Sequence, residues 1–346
     1  MGGVIKSLSG WGRYPAQECE LQRPERYSGL VTDQSPRIAR GQGRSYGDAA
    51  LNSDGVVILT ERLNRMLKFD AQNGVLRAEA GVTLAEVMQL LVPRGWFPWV
   101  TPGTRSVSLG GCLAADVHGK NHHRDGAFSQ AVRELVLLSA DGKRLRCSSK
   151  RNSSAFWATV GGMGLTGIVG ELDLSLRPIE SAYLIAEHLP TGNLDETVAY
   201  LNDDAFDDDY TVAWIDGLAT GASLGRGVFM RGHHAAVDEL PERLRTNPLQ
   251  IPGRGEHRVP FDFPGWFLNP LLLRAFNALY YRRQGARRAP FVTDYTSFFH
   301  PLDGVGDWNR PYGRAGFLQY QCVVPADGGT DVVRTNLDRL ASERQG

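Results

Sequence analysis

The chain has 346 residues, 42% of them hydrophobic and 22% charged, a composition that allows a buried core and two domains. Its 38 basic residues balance 38 acidic ones, so no whole-molecule field recruits nucleic acid. The four cysteines, Cys19, Cys112, Cys147 and Cys322, lie far apart without a C-x-x-C, which argues against a zinc ribbon or a disulfide framework and reads as reduced thiols.

The opening MGGVIKSLSGWGRYP has no apolar run of signal-peptide length, and no stretch of 18 uncharged residues follows. The expected location is cytoplasmic or peripheral to a membrane, with the periplasm left open. Residues 36–60 then predict a strand, a glycine loop and a strand: PRIAR, GQGRSYGDAALNSDG and VVILT. MLKFD and GVLRAEAG flank a turn at AQN, and Thr83 with Glu86 forms a T-x-x-E capping box that opens the helix TLAEVMQLLVPRG. After a second glycine loop, TPGTRSVSLGGCLAADVHGKNHHRDG, the segment VRELVLLSADGKRLRC predicts a hairpin turning at Asp141-Gly142. SSAFWATV predicts a short helix, and GIVGELDLSLRPI a strand with Leu172, Leu174 and Leu176 on one face.

The glycine loops stop near Pro178, which sets an expected boundary between domains 1–178 and 179–346. Beyond it come a strand TVAWIDGL, a helix around LDETVAYLND, an irregular aromatic and proline-rich stretch over 257–300, and a strand GFLQYQCVVP. The last predicted element is an amphipathic helix, TDVVRTNLDRLASERQG, with Val332, Val333, Leu337 and Leu340 apolar. No strand follows it, so the second domain is expected to be unfinished. In the irregular stretch, aromatic residues and leucines abut Arg282, Arg283, Arg287 and Arg288. That suits a segment on a membrane surface, but its prolines and Asp262 favour a packed or partly disordered loop.

Forty glycines, against a usual share of about 7%, cluster at 41–55, 103–126 and 161–170, as close backbone approach to a ligand requires. The loop from Ala39 to Ala49 offers successive amides, Ser45 Oγ and two arginines, a nest suited to a pyrophosphate; taken singly, it reads equally as a tight turn. No GK[ST] follows it, so it is not a Walker loop. The formal G-x-G-x-x-G of Gly162, Gly164 and Gly167 lies after a helix and before a strand, the reverse of the Rossmann context. In DVHGKNHHRDG the pattern H-x-x-x-H-H sits on a glycine-broken loop, unlike a helix-borne ligand set, and no metal is expected.

Taken together, ARGQGRSYGDAALN, PGTRSVSLGGCLAADVHGKNHHRDG and FWATVGGMGLTGIVG resemble the FAD-linked oxidases of the vanillyl-alcohol oxidase superfamily. Within it the chain is most similar to the decaprenylphosphoryl-β-D-ribose 2′-oxidase family, from Trp11-Gly12-Arg13 through NRPYGRAGFLQYQ. The resemblance implies an α+β fold, in which a two-subdomain FAD-binding domain of PCMH type precedes an incomplete antiparallel-sheet substrate domain with helices on one face. It implies noncovalent FAD, cradled by Ala39, Arg40, Gly41, Gln42, Gly43, Arg44, Ser45, Tyr46, Gly47, Asp48 and Ala49. Gly103, Ser108, Leu109, Gly110, Gly111, Ala115, Asp116, Val117 and His118 would line the cofactor, and Ile168 would touch it.

The same resemblance places His118 and Lys120 at the flavin edge, His118 orienting the 2′-hydroxyl and Lys120 binding the lipid-linked phosphate or a hydroxyl. Tyr46 would hydrogen-bond nearby, and Gln319 and Gln321, facing the same way on a strand, would pin sugar hydroxyls or the flavin rim. A satisfied buried polar network is the alternative for these three, as ordering of the turn is for His122, His123, Arg124 and Asp125. The implied activity is oxidation of a polyprenyl-phosphoribose to its 2′-keto sugar, the first half of an epimerisation toward the arabinose donor of cell-wall arabinan, with an NADH-dependent keto-reductase as partner. An aldonolactone or alditol oxidase and a catalytically impaired FAD-binding remnant are the alternatives. Two departures from the family stand out. Phe299 replaces a tyrosine before His300, and the family's last quarter, which supplies a lysine as base or substrate clamp, has no counterpart after Gln321.

Overall fold

The computed structural model describes residues 4–30, 36–203, 208–253, 255, 257–287 and 289–343. Strands β1 (Val4–Ser9) and β2 (Ala16–Gln22) pair antiparallel, and β3 (Arg37–Arg40) and β4 (Val56–Leu59) complete a sheet of order β1-β2-β4-β3. β4 runs parallel to both β2 and β3. Parallel neighbours need a long return connection, and here that connection is the first glycine loop, which stands off the end of the sheet.

A second sheet begins with the pair β5 (Met66–Asp70) and β6 (Val75–Glu79). Helix α1 (Leu84–Leu91) follows, and its capping box forms as expected: the Glu86 N–H donates to Thr83 Oγ1 at 3.2 Å and the Thr83 N–H to Glu86 Oε2 at 2.8 Å. Then come β7 (Trp96–Pro98), α2 (Leu109–Ala114), the single turn α3 (His122–Asp125), the hairpin β8 (Val132–Leu138) and β9 (Arg144–Cys147), α4 (Ser153–Thr159) and β10 (Ile168–Pro178). The order is β5-β6-β10-β8-β9, with β7 on the far end of β10. Leu172, Leu174 and Leu176 of β10 are buried in the main core with Leu84, Val87, Met88 and Leu91 of α1.

Past Pro178 the chain lays down β11 (Tyr183–Thr191), α5 (Leu194–Leu201), β12 (Tyr210–Ile215), β13 (Gly227–His234) and α6 (Glu242–Arg245). It continues through β14 (His257–Arg258), α7 (Pro270–Gly285), β15 (Phe291–Asp294), α8 (Tyr295–Phe299), β16 (Val305–Gly306) and α9 (Gly329–Ser342). β12-β13-β11-β15 form an antiparallel sheet on which α5 and α7 pack, and the class is mixed α and β.

Three expectations change here. The stretch 257–300 is not irregular, because α7 occupies sixteen residues of it. Pro270 sits in the first turn, where a missing N–H costs nothing, and Asn269 Oδ1 accepts from the Leu271 and Leu272 amides at 3.0 Å each. The segment GFLQYQCVVP forms no strand: among the described residues no strand pairs with it, and alternation without a ladder partner does not hold extended backbone. In α9 Leu337, with the half-buried Val333, packs against Leu194 and Leu224, and Ala341 is buried, while Val332 and Leu340 are exposed. Arg288 and the expected helical residues 344–346 lie outside the described residues.

Candidate cofactor site

A cavity of about 1340 Å³ opens where the connection after β3, the loop around α2 and the start of β10 meet. It exceeds the roughly 300–1,000 Å³ of an ordinary small-molecule pocket, leaving room for an extended dinucleotide and a substrate head group. Ala39, Gly41, Gln42, Gly43, Arg44, Ser45, Tyr46 and Ala49 line it from the first loop, and Gly103, Ser108, Gly110, Gly111, Ala115, Val117 and His118 from the second. Met163, Gly164, Gly167 and Val169 line it from the third. Three stretches far apart in sequence do converge.

The first two loops present different chemistry. Among the described residues no backbone acceptor takes the amides of Gly41, Gln42, Gly43, Ser45 or Tyr46. In the second loop the Leu109 N–H donates to Val82 O at 2.8 Å, Gly110 to Ala80 O at 2.8 Å and Gly111 to Ser108 Oγ at 3.2 Å. The backbone donors left over by the fold therefore lie in the first loop, and the second loop's Gly110 and Gly111 let it pack closely on Ala80 and Ser108. A Cβ on Gly41 would lie 2.1 Å from Ser108 Oγ, and one on Gly110 2.9 Å from the Ala80 Cβ. A row of unused amides over a cradle that a Cβ would fill fits the diphosphate of a flavin dinucleotide.

Two arginines brace this cradle. Arg44 stacks 4.0 Å over the Trp11 ring and donates from Nε to Ser106 O at 3.3 Å, tying the loops together. Arg40 points beneath the loop, donating to Ser9 O at 2.6 Å, and burial lowers its pKa. Tyr46 packs 5.5 Å from the Phe317 ring; burial, with Tyr312 adding, pushes its phenol up and keeps it an O–H donor.

Several expected site residues stand off the wall. Arg40 is the brace just described; Gly47 lies beyond the cradle, and the Asp48 carbonyl closes a turn on the Leu51 N–H at 3.0 Å. Leu109 is buried in the core, and Asp116 turns its carboxylate to the Ser129 N–H at 2.9 Å. Ile168 packs with Tyr27, Ile58 and Leu63, because strand alternation gives the cavity face of β10 to Val169. Lys120 also turns away: Nζ donates to the Phe298 carbonyl at 2.5 Å, lies 4.3 Å from the centre of that ring, and has a pKa lowered by burial to about 8.

On the cavity wall, His118 meets the His122 ring edge-on at 5.5 Å, and Gln321 Nε2 lies 3.5 Å from His118 Nε2. Gln319, Tyr320 and Gln321 all line the wall, since this stretch is not a strand and does not alternate. The rest of the histidine loop orders the turn: Asn121 Nδ2 donates to Asp125 Oδ2 at 2.7 Å, and Arg124 pairs with Asp209 at 3.6 Å. Among the described residues no three His, Cys, Asp or Glu side chains are placed to hold a metal ion.

His300 is buried beside the Pro102 and Gly103 backbone; burial, then the charges of Arg105 and Lys120, push its pKa down to about 3. Phe299 packs 4.7 Å from Tyr210 and 5.4 Å from Phe97. The tyrosine-to-phenylalanine departure therefore falls in the core and not in the pocket. Sequence reasoning missed the aromatic wall packed on the first glycine loop, where Tyr312 stacks on Phe317 at 4.1 Å and Trp308 lies 5.8 Å from Phe317 and 5.7 Å from Trp11. Its only signal was the aromatic density of DWNRPYGRAGF.

The FAD binding domain family matches residues 30–148. A decaprenylphosphoryl-β-D-ribose oxidase from Mycolicibacterium smegmatis is 41% identical over 335 residues, 94% of this chain and 72% of that protein. This chain belongs to the decaprenylphosphoryl-β-D-ribose oxidase family. An uncharacterized protein from Streptomyces coelicolor is 35% identical over 76% of the chain and 72% of its own length. L-gulonolactone oxidase from Bos taurus is 29% identical over only 43% of the chain and 34% of its own. The likeness to the first two relatives thus extends well beyond residues 30–148.

Proposed function

We propose that this chain oxidises the 2′-hydroxyl of a polyprenyl-phosphoribose to the 2′-keto sugar, for an NADH-dependent keto-reductase to complete the epimerisation. The observation that carries the reading is the convergence of three glycine loops, in a chain of this family, on one cavity that His118 and Gln321 also line. Residues 1–178 form the FAD-binding domain, of the two-subdomain PCMH type, and residues 179–346 the substrate domain built on the antiparallel sheet.

Bound noncovalently, FAD supplies the hydride acceptor. The amides of Gly41, Gln42, Gly43 and Ser45 would hold its diphosphate, and Gly103, Gly110 and Gly111, without side chains, would leave room for the rest of it. His118 orients the 2′-hydroxyl and takes its proton at a ring nitrogen, while Tyr46, Gln319 and Gln321 pin the sugar. Lys120 is a positioning residue that ties the His118 loop to α8 through the Phe298 carbonyl.

Anaerobic addition of a short-chain polyprenyl-phosphoribose tests this by bleaching the flavin absorbance. Reduction by free polyols or aldonolactones instead would support the soluble-sugar oxidase, and a bound flavin that stays oxidised with both, the impaired remnant. Purification without flavin would overturn the cofactor assignment.

A further inference from the structure

Helix α7 is held to the third sheet by one face. Asn277 Nδ2 donates to Asp216 Oδ1 at 2.7 Å, the Tyr281 hydroxyl donates to Thr191 O at 3.3 Å, and the Tyr280 ring lies 4.7 Å from Trp214. The opposite face is uncovered: Leu271, Phe276 and Leu279 are 80%, 57% and 66% exposed. A contiguous exposed row of large apolar side chains marks an interaction surface.

Charge says what covers it. The whole chain is neutral, yet from Phe263 to Thr293 it contains no aspartate or glutamate. Over that stretch Arg274, Arg282, Arg283 and Arg287 occupy exposed positions. Among the described residues no carboxylate pairs with any of these four. An apolar row flanked by arginines of one sign matches a surface that is apolar beneath and negative on top, which is a bilayer carrying anionic headgroups.

The row also leads to the site. Arg258 lines the cavity, and from just beyond it a ladder of rings runs toward the α7 cap: Phe261 to Phe263 at 5.5 Å, Phe263 to Phe267 at 4.4 Å and Phe267 to Trp266 at 6.4 Å. Phe261 and Trp266 are 62% and 73% exposed, and the amphipathic indole of a tryptophan favours the headgroup level. We propose that the outer face of α7 and the Phe261–Phe267 ladder dock the protein on an anionic lipid surface and set the cavity mouth against it. The inference rests on the reading that the substrate carries a polyprenyl tail, which the ladder would receive from the bilayer.

Flotation of the flavin-loaded full chain with phosphatidylcholine vesicles, with and without phosphatidylglycerol, tests the docking. Binding is expected only with phosphatidylglycerol and should weaken as salt rises. Leu271→Asp with Leu279→Asp should abolish it, and Arg282→Gln with Arg283→Gln should weaken it by roughly fivefold per arginine. Flavin content and thermal unfolding, expected unchanged, control for folding. Absence of binding, equal binding to both vesicles, or unaltered binding by the variants overturns the proposal, as does capture of an acidic protein without any vesicle binding. Flavin reduction by a water-soluble short-chain substrate separates the two readings. Vesicle binding without reduction sinks the oxidase and leaves the docking; reduction without vesicle binding does the reverse.

Discussion

The loop after β3 and the loop around α2 are both rich in glycine and face the same cavity, yet they use glycine for different ends. The first leaves a row of amides unused by the fold, while the second gives those of Leu109, Gly110 and Gly111 to Val82, Ala80 and Ser108 and keeps only the absence of side chains. The second also turns the Lys120 ammonium inward, onto Phe298. Glycine density locates a ligand; accounting for each backbone donor says what the glycines do there.

Lys120 offers the largest expected effect. Its folded pKa, about 8, lies below the ordinary 10.5, so between those values the unfolded chain holds a proton that the folded chain has lost. Stability must then rise with pH across that window, by as much as about 3 kcal/mol, because burial disfavours the charged form. Denaturant unfolding of wild type and Lys120→Met from pH 7 to 10.5 reads this directly. A constant difference between them would mean that the ammonium is solvated and the inward orientation wrong.

Next in size is the contact between the loops. Gly41→Ala drives a Cβ onto Ser108 Oγ, whose own Cβ would be 3.1 Å away, and overpacking of this kind costs about 2 kcal/mol. Ser108→Gly in the same chain should restore most of the loss, measured by unfolding and by flavin occupancy. Additive losses would show that the two loops do not meet.

How much of this was readable depended on whether the cause was local. Thr83 and Glu86 cap α1 within one turn, and β3, β4, β8, β9 and β10 follow local patterns, so each was legible. The three loops could be paired through their glycines and the resemblance they carry. Where a second segment decides the outcome, the reading failed. Gln319 and Gln321 alternate as in a strand but have no ladder partner, Ile168 and Val169 divide between core and cavity by the pleat of β10, and Lys120 finds its acceptor on α8. The prolines around α7 looked like breakers because Asn269 and Pro270 form a cap only once the helix is seen to begin there.

A smaller effect separates capping from cofactor contact. Ser108→Ala removes the acceptor of the Gly111 N–H and should cost about 1 kcal/mol, with flavin affinity falling only as far as α2 frays. Gly103 gives the opposite pattern. No atom lies within 4 Å of a Cβ built there, so Gly103→Ala should change the stability of the flavin-free protein by less than about 0.5 kcal/mol. Because that open space is part of the cavity, the added methyl meets only what enters the cavity, and flavin occupancy should drop while the unfolding midpoint of the apoprotein stays put. If instead the midpoint falls and flavin binding holds, the second loop is a packing element at Gly103 as well, and close approach of the cofactor there is wrong.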